Sequence, residues 1–326
     1  MPDRVLVTGA SGFIGGALCR ALCAAGARVR ALHRPDSRLE ALEGLDLERA
    51  VGDILAPASL EAALAGVAEV YHTAAQPAYW RRPAEVVPAA VAGTVNVVRA
   101  ARAAGVRRLV LTSSLAAMGL PRRGELLTED HVYDLPPRDF PYAFAKRRAE
   151  VEALRQAGAA LEVVVVNPSV VLGAGDRHQI SGSLVVESAR GRAFLYVDGG
   201  VNIVHLDDVV EGHLAAMQRG RPGARYLLAG ENVTHGELFA ALAEITGRRP
   251  PWLRLPGWLI PPAAAAVDML GRVARLPLDG AHLRWSRQRL FCDPGPARAA
   301  LGLGPPRPFR QAAQEAYDWY RAQGML

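Results

Sequence analysis

Tyr142 and Lys146 stand four residues apart in Tyr-Ala-Phe-Ala-Lys, and Lys146 is the only lysine of the 326-residue chain. On a helix, residues four apart share one face, so the two side chains can reach the same small volume. A tyrosine hydroxyl has a reference pKa of about 10, and a fixed cation beside it favours the phenolate. The spacing therefore indicates a general acid and base for proton exchange with a carbonyl or alcohol oxygen, with an ordinary solvated helix as the alternative.

Two hydroxyl side chains, Ser113 and Ser114, follow a predicted strand at Arg107–Thr112. The carboxyl ends of parallel strands face the ligand crevice of an open α/β sheet. A hydroxyl at that edge can donate a hydrogen bond to a substrate oxygen as charge develops on it. Composition allows either serine in this role, and the other serine would then only satisfy backbone groups.

A glycine-rich turn opens the chain, where Arg4–Thr8 runs into Gly9-Ala10-Ser11-Gly12-Phe13-Ile14-Gly15. The apolar run predicts a buried parallel strand, and an apolar helix is predicted at Phe13–Ala25. Three glycines spaced three apart permit a sharp turn, close approach to a pyrophosphate and packing of the helix on the sheet. Unpaired N–H groups at the start of that helix favour an anion. The stretch therefore predicts a dinucleotide site.

The end of the second predicted strand, Arg28–Leu32, indicates which dinucleotide binds. An NAD site usually has Asp or Glu about twenty residues after the glycine turn, whereas an arginine there accommodates the 2′-phosphate of NADP. This chain has His33-Arg34 at that place. We therefore expect NADP (NADPH), and NAD stays possible because Asp36 lies close enough in sequence to approach the ribose.

Helix-like stretches alternate with apolar strands through the first half of the chain. This alternation is typical of βαβ units and predicts an α/β fold with a doubly wound parallel (Rossmann) sheet. We expect this dinucleotide-binding domain to span residues 1–166. Its further strands are predicted at Leu45–Ala50, Glu69–His72 and Leu161–Val166, and its further helices at Pro57–Leu64, Val86–Ala104 and Phe140–Gln156.

After residue 166, Gly, Pro and short mixed segments predict a smaller, interleaved C-terminal substrate lobe over residues 167–326. Clear helical patterns occur only at Asp207–Gln218 and Gly236–Ile245, and we expect Tyr226–Ala229 to return to the first domain as a strand. Trp252–Leu270 is apolar but interrupted by prolines. We expect it to line or cover a pocket, with a surface-active lid as the alternative.

Composition limits the class of protein. No uncharged apolar run reaches the ~18 residues that span a bilayer, and the N-terminus has no signal-peptide pattern, so we expect a cytoplasmic protein without an integral membrane segment. The formal charge is +6, but the arginines are scattered singly or in pairs, so no nucleic-acid partner is indicated. Cys19, Cys23 and Cys292 are expected to be buried small residues rather than a redox or metal pair, and no metal site is predicted.

Thr-Gly-Ala-Ser-Gly-Phe-Ile-Gly, with Tyr-x-x-x-Lys before the sixth strand, resembles the extended branch of the short-chain dehydrogenase/reductase superfamily, also called the NAD-dependent epimerase/dehydratase superfamily. The resemblance covers nearly the whole chain. Residues 196–208 and 230–234 resemble dihydroflavonol-reductase-like and hopanoid-associated sugar epimerase-like proteins. The resemblance implies that Ser114, rather than Ser113, joins Tyr142 and Lys146 as a catalytic residue.

The same resemblance assigns contacts to the cofactor. It implies that Arg34, assisted by Arg38, binds the 2′-phosphate, and that Asp53 contacts the adenine amino group. It also implies that the turn after the sixth strand holds the nicotinamide carboxamide. The cofactor-binding residues expected in all are Gly9, Ser11, Gly12, Phe13, Ile14, Gly15, Arg34, Arg38, Asp53, Ile54, Thr73, Ala74, Ala75, Lys146, Asn167, Pro168 and Ser169. A homodimer through the helices at 86–104 and 140–156 is a further implication.

The sequence departs from the family pattern at two places. Ala90 stands where the family often has an asparagine, so proton resupply would run through Lys146 and water, or through Asn96 if the helix were displaced. Val201 stands where nucleotide-sugar members carry an arginine on the diphosphate, which indicates a neutral or largely apolar substrate. The expected substrate pocket is lined by Pro77, Tyr79, Trp80, Leu115 and Met118, together with Trp252–Leu270.

These residues favour an NADP-dependent oxidoreductase that interconverts a small ketone or aldehyde and its alcohol. A nucleotide-sugar epimerase is the alternative among enzymes. A regulator that senses the cofactor is an alternative of another class, and the presence of Ser114, Tyr142 and Lys146 argues against it.

Overall fold

The structure, a computed structural model, describes residues 3–75, 83–122, 124–270 and 280–326. Its strands are β1 (Arg4–Thr8), β2 (Arg28–His33), β3 (Glu48–Val51), β4 (Val67–His72), β5 (Arg108–Thr112), β6 (Glu162–Pro168), β7 (Val170–Leu172), β8 (Leu195–Val197), β9 (Gly200–His205), β10 (Arg225–Leu228), β11 (Glu231–Thr234) and β12 (Leu253–Leu255). Its helices are α1 (Phe13–Ala24), α2 (Pro57–Leu64), α3 (Pro83–Ala103), α4 (Pro141–Ala157), α5 (Ser183–Ala189), α6 (Leu206–Arg219), α7 (His235–Thr246), α8 (Ile260–Leu270), α9 (Gly280–Ser286), α10 (Gly295–Leu301) and α11 (Phe309–Ala322).

Seven of these strands form one sheet in the order β10-β6-β5-β4-β1-β2-β3, and every neighbouring pair is parallel. Side chains alternate between the faces of a strand, so a strand buried on both faces is apolar throughout. In β1, Val5 and Val7 pack into one core cluster with α1 and α6, while Leu6 packs into the opposite cluster with α2 and α3. The predicted doubly wound α/β fold is therefore confirmed.

The predicted elements of the first half agree with the structure to within a few residues. The third strand is the main difference, because it begins at Glu48 rather than at Leu45. Leu45 and Leu47 still pack against the core, but they lie in the loop before β3. An apolar run therefore located the segment without fixing where sheet pairing begins.

The returning strand is also confirmed, since β10 pairs with β6 from Arg225↔Val165 to Leu228↔Pro168. The rest of the second half forms a three-stranded sheet, β11-β9-β7, and a two-stranded sheet, β12-β8. The expectation of only two clear helices there was wrong. The C-terminal helix α11 buries Phe309, Ala312, Ala316 and Tyr320 against α5 and α7, a pattern with the helical spacing of three and four residues.

The segment predicted to line or cover a pocket divides into three elements. They are the short strand β12, a 3₁₀ turn at Gly257–Leu259 and α8. Within α8 only Ile260 and Ala264 are buried, so most of its apolar surface faces outward.

Two expectations from composition can be compared with the structure. Cys19 and Cys292 are buried, whereas Cys23 is partly exposed, and none of the three forms a disulfide. Burial raises the pKa of the Cys19 thiol to about 12, which keeps it protonated. Within the part of the chain that the structure describes, no helix has the length and apolar character needed to cross a membrane.

Candidate active site

A cavity of about 370 Å³ lies at the carboxyl edge of the seven-stranded sheet. It is lined by the segments that follow each of β1 to β6, because parallel strands end at the same edge. Of the expected cofactor and catalytic residues, the following line it: Gly9, Ser11, Gly12, Phe13, Ile14, Gly15, Arg34, Asp53, Ile54, Thr73, Ala74, Ala75, Ser114, Tyr142, Lys146, Pro168 and Ser169.

The glycine turn is packed too tightly for side chains. Gly9 has a φ of +68°, and a Cβ there would lie 2.7 Å from the backbone of Ala74. A Cβ on Gly15 would lie 2.8 Å from the carbonyl carbon of Gly9. Only glycine fits at these two positions, and Phe13 and Ile14, the first residues of α1, line the cavity, where a pyrophosphate would meet the start of that helix.

The far end of the cavity carries the residues expected around the adenosine. The backbone N–H of Arg34 donates to Ser37 Oγ at 3.1 Å, and Arg34 Nε lies 3.6 Å from Asp36 Oδ1. Arg34 lines both this cavity and an adjoining groove, and Arg38 lies in that groove instead of the cavity. Asp53 Oδ1 accepts from the N–H of Leu55 at 2.8 Å. The loop after β2 therefore presents arginine at this end, with Asp36 next to it.

Tyr142 and Lys146 are placed by the start of α4. Pro141 is the first residue of this helix, a position that proline favours because its missing N–H has no partner there anyway. Tyr142 therefore falls in the first turn and Lys146 one turn later, both at the cavity. Lys146 Nζ donates to the carbonyl oxygen of Thr112, the last residue of β5, at 3.4 Å. The ammonium is thus held at the strand end that also carries the two serines.

The two serines behave differently from the expectation. Ser114 Oγ caps the 3₁₀ helix Leu115–Met118 by accepting from the N–H of Ala116 at 3.2 Å. Ser113 Oγ is buried and has no hydrogen-bond partner among the residues that the structure describes. Both serines line the cavity. The serine that satisfies a backbone group is therefore Ser114, not Ser113, and the choice of Ser114 as the catalytic one stays a prediction.

Asn167 lies behind the cavity wall and does not line it. Its Nδ2 donates to the carbonyl oxygen of Ser114 at 2.9 Å and to Glu150 Oε1 at 2.6 Å. The fully buried Glu150 also pairs with Arg147 at 3.2 Å and with Arg225 Nε at 3.4 Å. Burial lowers the pKa of Arg225, and the Glu150 carboxylate opposes that shift. The sequence analysis missed Glu150 and Arg225, although a glutamate four residues after Lys146 continues the same face of α4.

A second buried chain of hydrogen bonds was also missed. His72 Nδ1 lies 2.7 Å from Thr8 Oγ1, and its Nε2 lies 3.3 Å from Thr94 Oγ1. Burial, reinforced by the charge of Lys146, lowers the pKa of His72 to about 3, so this imidazole is neutral. Ala90 and Thr94 line the cavity, whereas Asn96 donates to the carbonyl oxygen of Ile54 at 3.0 Å. Asn96 is therefore occupied away from Lys146 and does not replace the family asparagine.

The expected substrate wall needs correction. Pro77, Tyr79 and Trp80 lie outside the described residues. Leu115 and Met118 pack into a core cluster, with Met118 fully buried, and neither lines the cavity. Trp285 at the end of α9 was not predicted, yet it packs 5.3 Å from Phe140 between ring centroids and in one cluster with Tyr142. An apolar side chain from the distant C-terminal half thus packs on the same core cluster as the candidate acid.

Comparison with known proteins agrees with this arrangement. The model of the NAD dependent epimerase/dehydratase family matches residues 5–229. The chain is 37% identical to sterol demethylase protein B of Methylococcus capsulatus, over 98% of this chain and 99% of that protein. It is 35% identical to a putative dihydroflavonol 4-reductase of Synechocystis, over 100% of this chain and 97% of that protein. The crystal structure of gox2253 superposes with a TM-score of 0.89 at 36% identity, covering 99% of each chain.

The family model covers more than half of the chain, and the two relatives match it almost end to end. The chain therefore belongs to the NAD-dependent epimerase/dehydratase family, the extended short-chain dehydrogenases/reductases, whose members are NAD(P)-dependent and act on CH–OH groups.

Proposed function

We propose that this protein is an NADPH-dependent carbonyl reductase that converts a neutral, largely apolar ketone or aldehyde to its alcohol. The observation that carries the proposal is the single cavity that holds the glycine turn at one side and Tyr142, Lys146 and two serine hydroxyls at the other. A dinucleotide on the turn and a carbonyl compound beside Tyr142 would therefore share one enclosed space. The relative named as a dihydroflavonol 4-reductase supports the reductive direction.

In this proposal the glycine turn and the segments after β4 and β6 would hold the dinucleotide, whose nicotinamide would supply hydride-transfer chemistry at the carbonyl carbon. Tyr142 donates the proton of its hydroxyl to the carbonyl oxygen, and Lys146, held on the Thr112 carbonyl, stabilises the resulting phenolate. One of the two serine hydroxyls donates a hydrogen bond to the same oxygen while negative charge develops there. Protons return to Tyr142 through Lys146 and water, because Ala90 offers no polar side chain at the family's asparagine position.

The cofactor preference rests on the loop after β2. Arg34 is exposed at the cavity and is able to pair with a 2′-phosphate, with Ser37 beside it and Arg38 in the adjoining groove. Asp36 is the competing feature, since its carboxylate lies 3.6 Å from Arg34 and would repel a phosphate. We assign NADPH because Arg34 neutralises the carboxylate of Asp36 and Arg38 supplies a second cation on the same loop.

The apolar substrate rests on two residues. Val201 lies in β9 opposite Val233 and packs against the adjoining core cluster, so the place of the family's diphosphate arginine carries no charge. Trp285 adds an aromatic side chain to the cluster on which Tyr142 packs. A buried diphosphate without a cationic partner costs several kcal/mol, on the order of the desolvation of an unpaired charge. The alternative, a nucleotide-sugar epimerase, would need a cation for the diphosphate, and Val201 does not supply one.

The division into a cofactor domain at 1–166 and a substrate lobe at 167–326 is part of the same proposal. One strand of the second part, β10, joins the sheet of the first part and brings Arg225 to Glu150. A homodimer through the outward faces of α3 and α4 is proposed as well; their inward faces pack on each other within the chain.

The test is NADPH oxidation by the purified protein against a panel of apolar and polar ketones and aldehydes, with UDP- and GDP-sugars in the same panel. We expect turnover of apolar carbonyl compounds and none of the sugar nucleotides. Tyr142→Phe is expected to lose about 10²–10⁴-fold in kcat with NADPH affinity unchanged, since only the transferable proton is removed. Epimerised sugar without net NADPH consumption would favour the nucleotide-sugar epimerase. NADPH binding without turnover of any compound in the panel would favour the cofactor-sensing regulator.

A further inference from the structure

Large apolar side chains are exposed around β12 and α8. Trp252 is 80% exposed, Trp258 is 73% exposed and Met269 is 64% exposed. Phe194, Leu253 and Leu270 are exposed as well. We call these six residues the apolar surface. Exposed tryptophans are unusual in a folded chain, and several of them on one segment mark an interaction site rather than scattered surface residues.

The two-stranded sheet brings two parts of this surface together. β8 and β12 pair in parallel, with Leu253 opposite Leu195. The N–H of Leu253 donates to the carbonyl oxygen of Phe194 at 3.1 Å. Phe194 therefore lies next to Trp252 and Leu253, although 58 residues of sequence separate it from Trp252. Trp258 is the middle residue of the 3₁₀ turn Gly257–Leu259, which leads into α8.

Arginines flank this surface. Arg190 and Arg192 precede Phe194 in the chain, and Arg248 and Arg249 precede Trp252. Arg248 Nε donates to the carbonyl oxygen of Ala189 at 3.0 Å, so the two groups are neighbours. Glu187 Oε1 lies 4.0 Å from Arg190 Nη1 and 3.9 Å from Arg192 Nη1. Among the described residues, Glu187 is the one acid that pairs with these four arginines. The flank therefore has net positive charge and complements an anionic partner.

The apolar surface is connected to the candidate active site. α8 packs on α9, where Asp268 accepts from the N–H of Gly280 at 3.0 Å and from Arg284 Nη1 at 2.9 Å. Trp285, the residue after Arg284, contacts Phe140 and shares a cluster with Tyr142. The contacts from α8 toward the candidate acid therefore run through α9, Trp285 and Phe140.

We propose that the apolar surface docks this protein on the face of a lipid bilayer that contains anionic lipids. Tryptophans favour the depth of the lipid headgroups, an exposed apolar helix lies in the interfacial plane, and arginines are attracted to anionic headgroups. Docking would also bring the enzyme to its substrate, because apolar carbonyl compounds partition into bilayers; this advantage rests on the proposed function. A second copy of the chain is the competing occupant, but the like charges of its arginine flank would repel.

The test is co-sedimentation of the full-length protein with vesicles of phosphatidylcholine alone and of phosphatidylcholine mixed with phosphatidylglycerol. We expect binding to the mixed vesicles that weakens with added salt. Trp252→Ser combined with Trp258→Ser is expected to weaken it by at least about tenfold, the cost of withdrawing two large apolar side chains. Val132→Ser removes an apolar side chain that is 80% exposed elsewhere and serves as the matched control.

Absence of binding to both kinds of vesicle, or equal binding by the double tryptophan variant and the wild type, overturns the proposal. So does a dimer in light scattering that the double variant converts to monomer, because the surface would then join two copies. Thermal unfolding of the variants checks that they fold. Tyr142→Phe is expected to bind vesicles like the wild type, so a failure of the reductase assay and a failure of vesicle binding are observed separately.

Discussion

At the scale of single residues, the two neighbouring serines present a direct choice. Ser114 Oγ is engaged by the Ala116 N–H, whereas the buried Ser113 Oγ has no partner among the described residues. If Ser114 is the catalytic serine, as the family resemblance implies, Ser114→Ala lowers kcat by about 10²-fold, because it removes one hydrogen bond to the developing oxyanion. Ser113→Ala then leaves kcat within about threefold of the wild type. The two variants are compared in steady-state reduction at saturating NADPH. A larger loss in Ser113→Ala would transfer the role to Ser113.

Arg34 carries the cofactor preference. We expect the wild type to prefer NADPH over NADH, and Arg34→Ala to remove about 10- to 100-fold of that preference, because a hydrogen bond to a charged group is worth about 1.5–3 kcal/mol. The measurement is KM for both cofactors. Arg20→Ala is the matched control, since Arg20 lines the adjoining groove without lining the cavity. Equal KM values for the two cofactors in the wild type would contradict the assignment.

Glu150 is a positioning residue for the strand end that carries the serines. Glu150→Gln leaves the largely buried Arg225, 14% exposed, without its carboxylate, and removing one partner of a buried pair costs up to about 3–5 kcal/mol. We expect a lower denaturation midpoint and, below the transition, a lower kcat with unchanged KM for NADPH. Glu152→Gln on the same helix, whose partners Arg148 and Arg155 are exposed, should change stability by less than about 0.5 kcal/mol. Similar losses in both variants would remove Glu150 from this role.

At the scale of elements, the junction of β1 and α1 depends on backbone contact. A Cβ on Gly15 would overlap the carbonyl of Gly9 and lie 2.8 Å from Thr73 Oγ1. Gly15→Ala therefore forces the turn away from the segment after β4, and we expect NADPH affinity to fall by more than about tenfold. Isothermal titration with NADPH measures this. Gly304→Ala, with open space around the added methyl group, is the control, and unchanged affinity in Gly15→Ala would show that the turn is not the phosphate site.

The histidines beneath the sheet edge connect single elements to the stability of the fold. His213 of α6 lies 2.7 Å from Thr112 Oγ1 and 2.7 Å from the carbonyl oxygen of Val209. Burial lowers its pKa to about 4, as it lowers that of His72 to about 3. Both imidazoles are therefore neutral in the folded chain at pH values where an unfolded histidine, with a pKa of about 6.5, takes up a proton.

For the whole molecule this predicts a pH dependence of the free energy of unfolding. The contribution of these histidines is complete above pH ~6.5 and is lost as pH falls toward their folded pKa values, with a slope of about 1.4 kcal/mol per pH unit for each. Urea unfolding between pH 8 and about pH 5 measures the slope. His213→Gln, which keeps a donor and an acceptor, should reduce it by about one proton. A flat profile in the wild type would contradict buried neutral histidines.

Much of this molecule follows from local sequence. Alternating apolar strands and helices predicted the doubly wound parallel sheet, because strands buried on both faces must be apolar throughout. The glycine spacing and the tyrosine and lysine four apart predicted the edge at which the cavity lies, since their geometry depends on single turns of chain. The predictions near each turn therefore agree with the structure within a few residues.

Tertiary structure alone decided what lies around and behind those residues. Glu150 meets Arg225 across 75 residues of sequence, Trp285 packs on Phe140 from the C-terminal half, and Leu115 lies in the core instead of the cavity wall. The exposure of Trp252 and Trp258 likewise depends on how β12 pairs with β8. Periodicity records which face of a local element is apolar. It does not record which distant element covers that face, because that is fixed only when the whole chain packs.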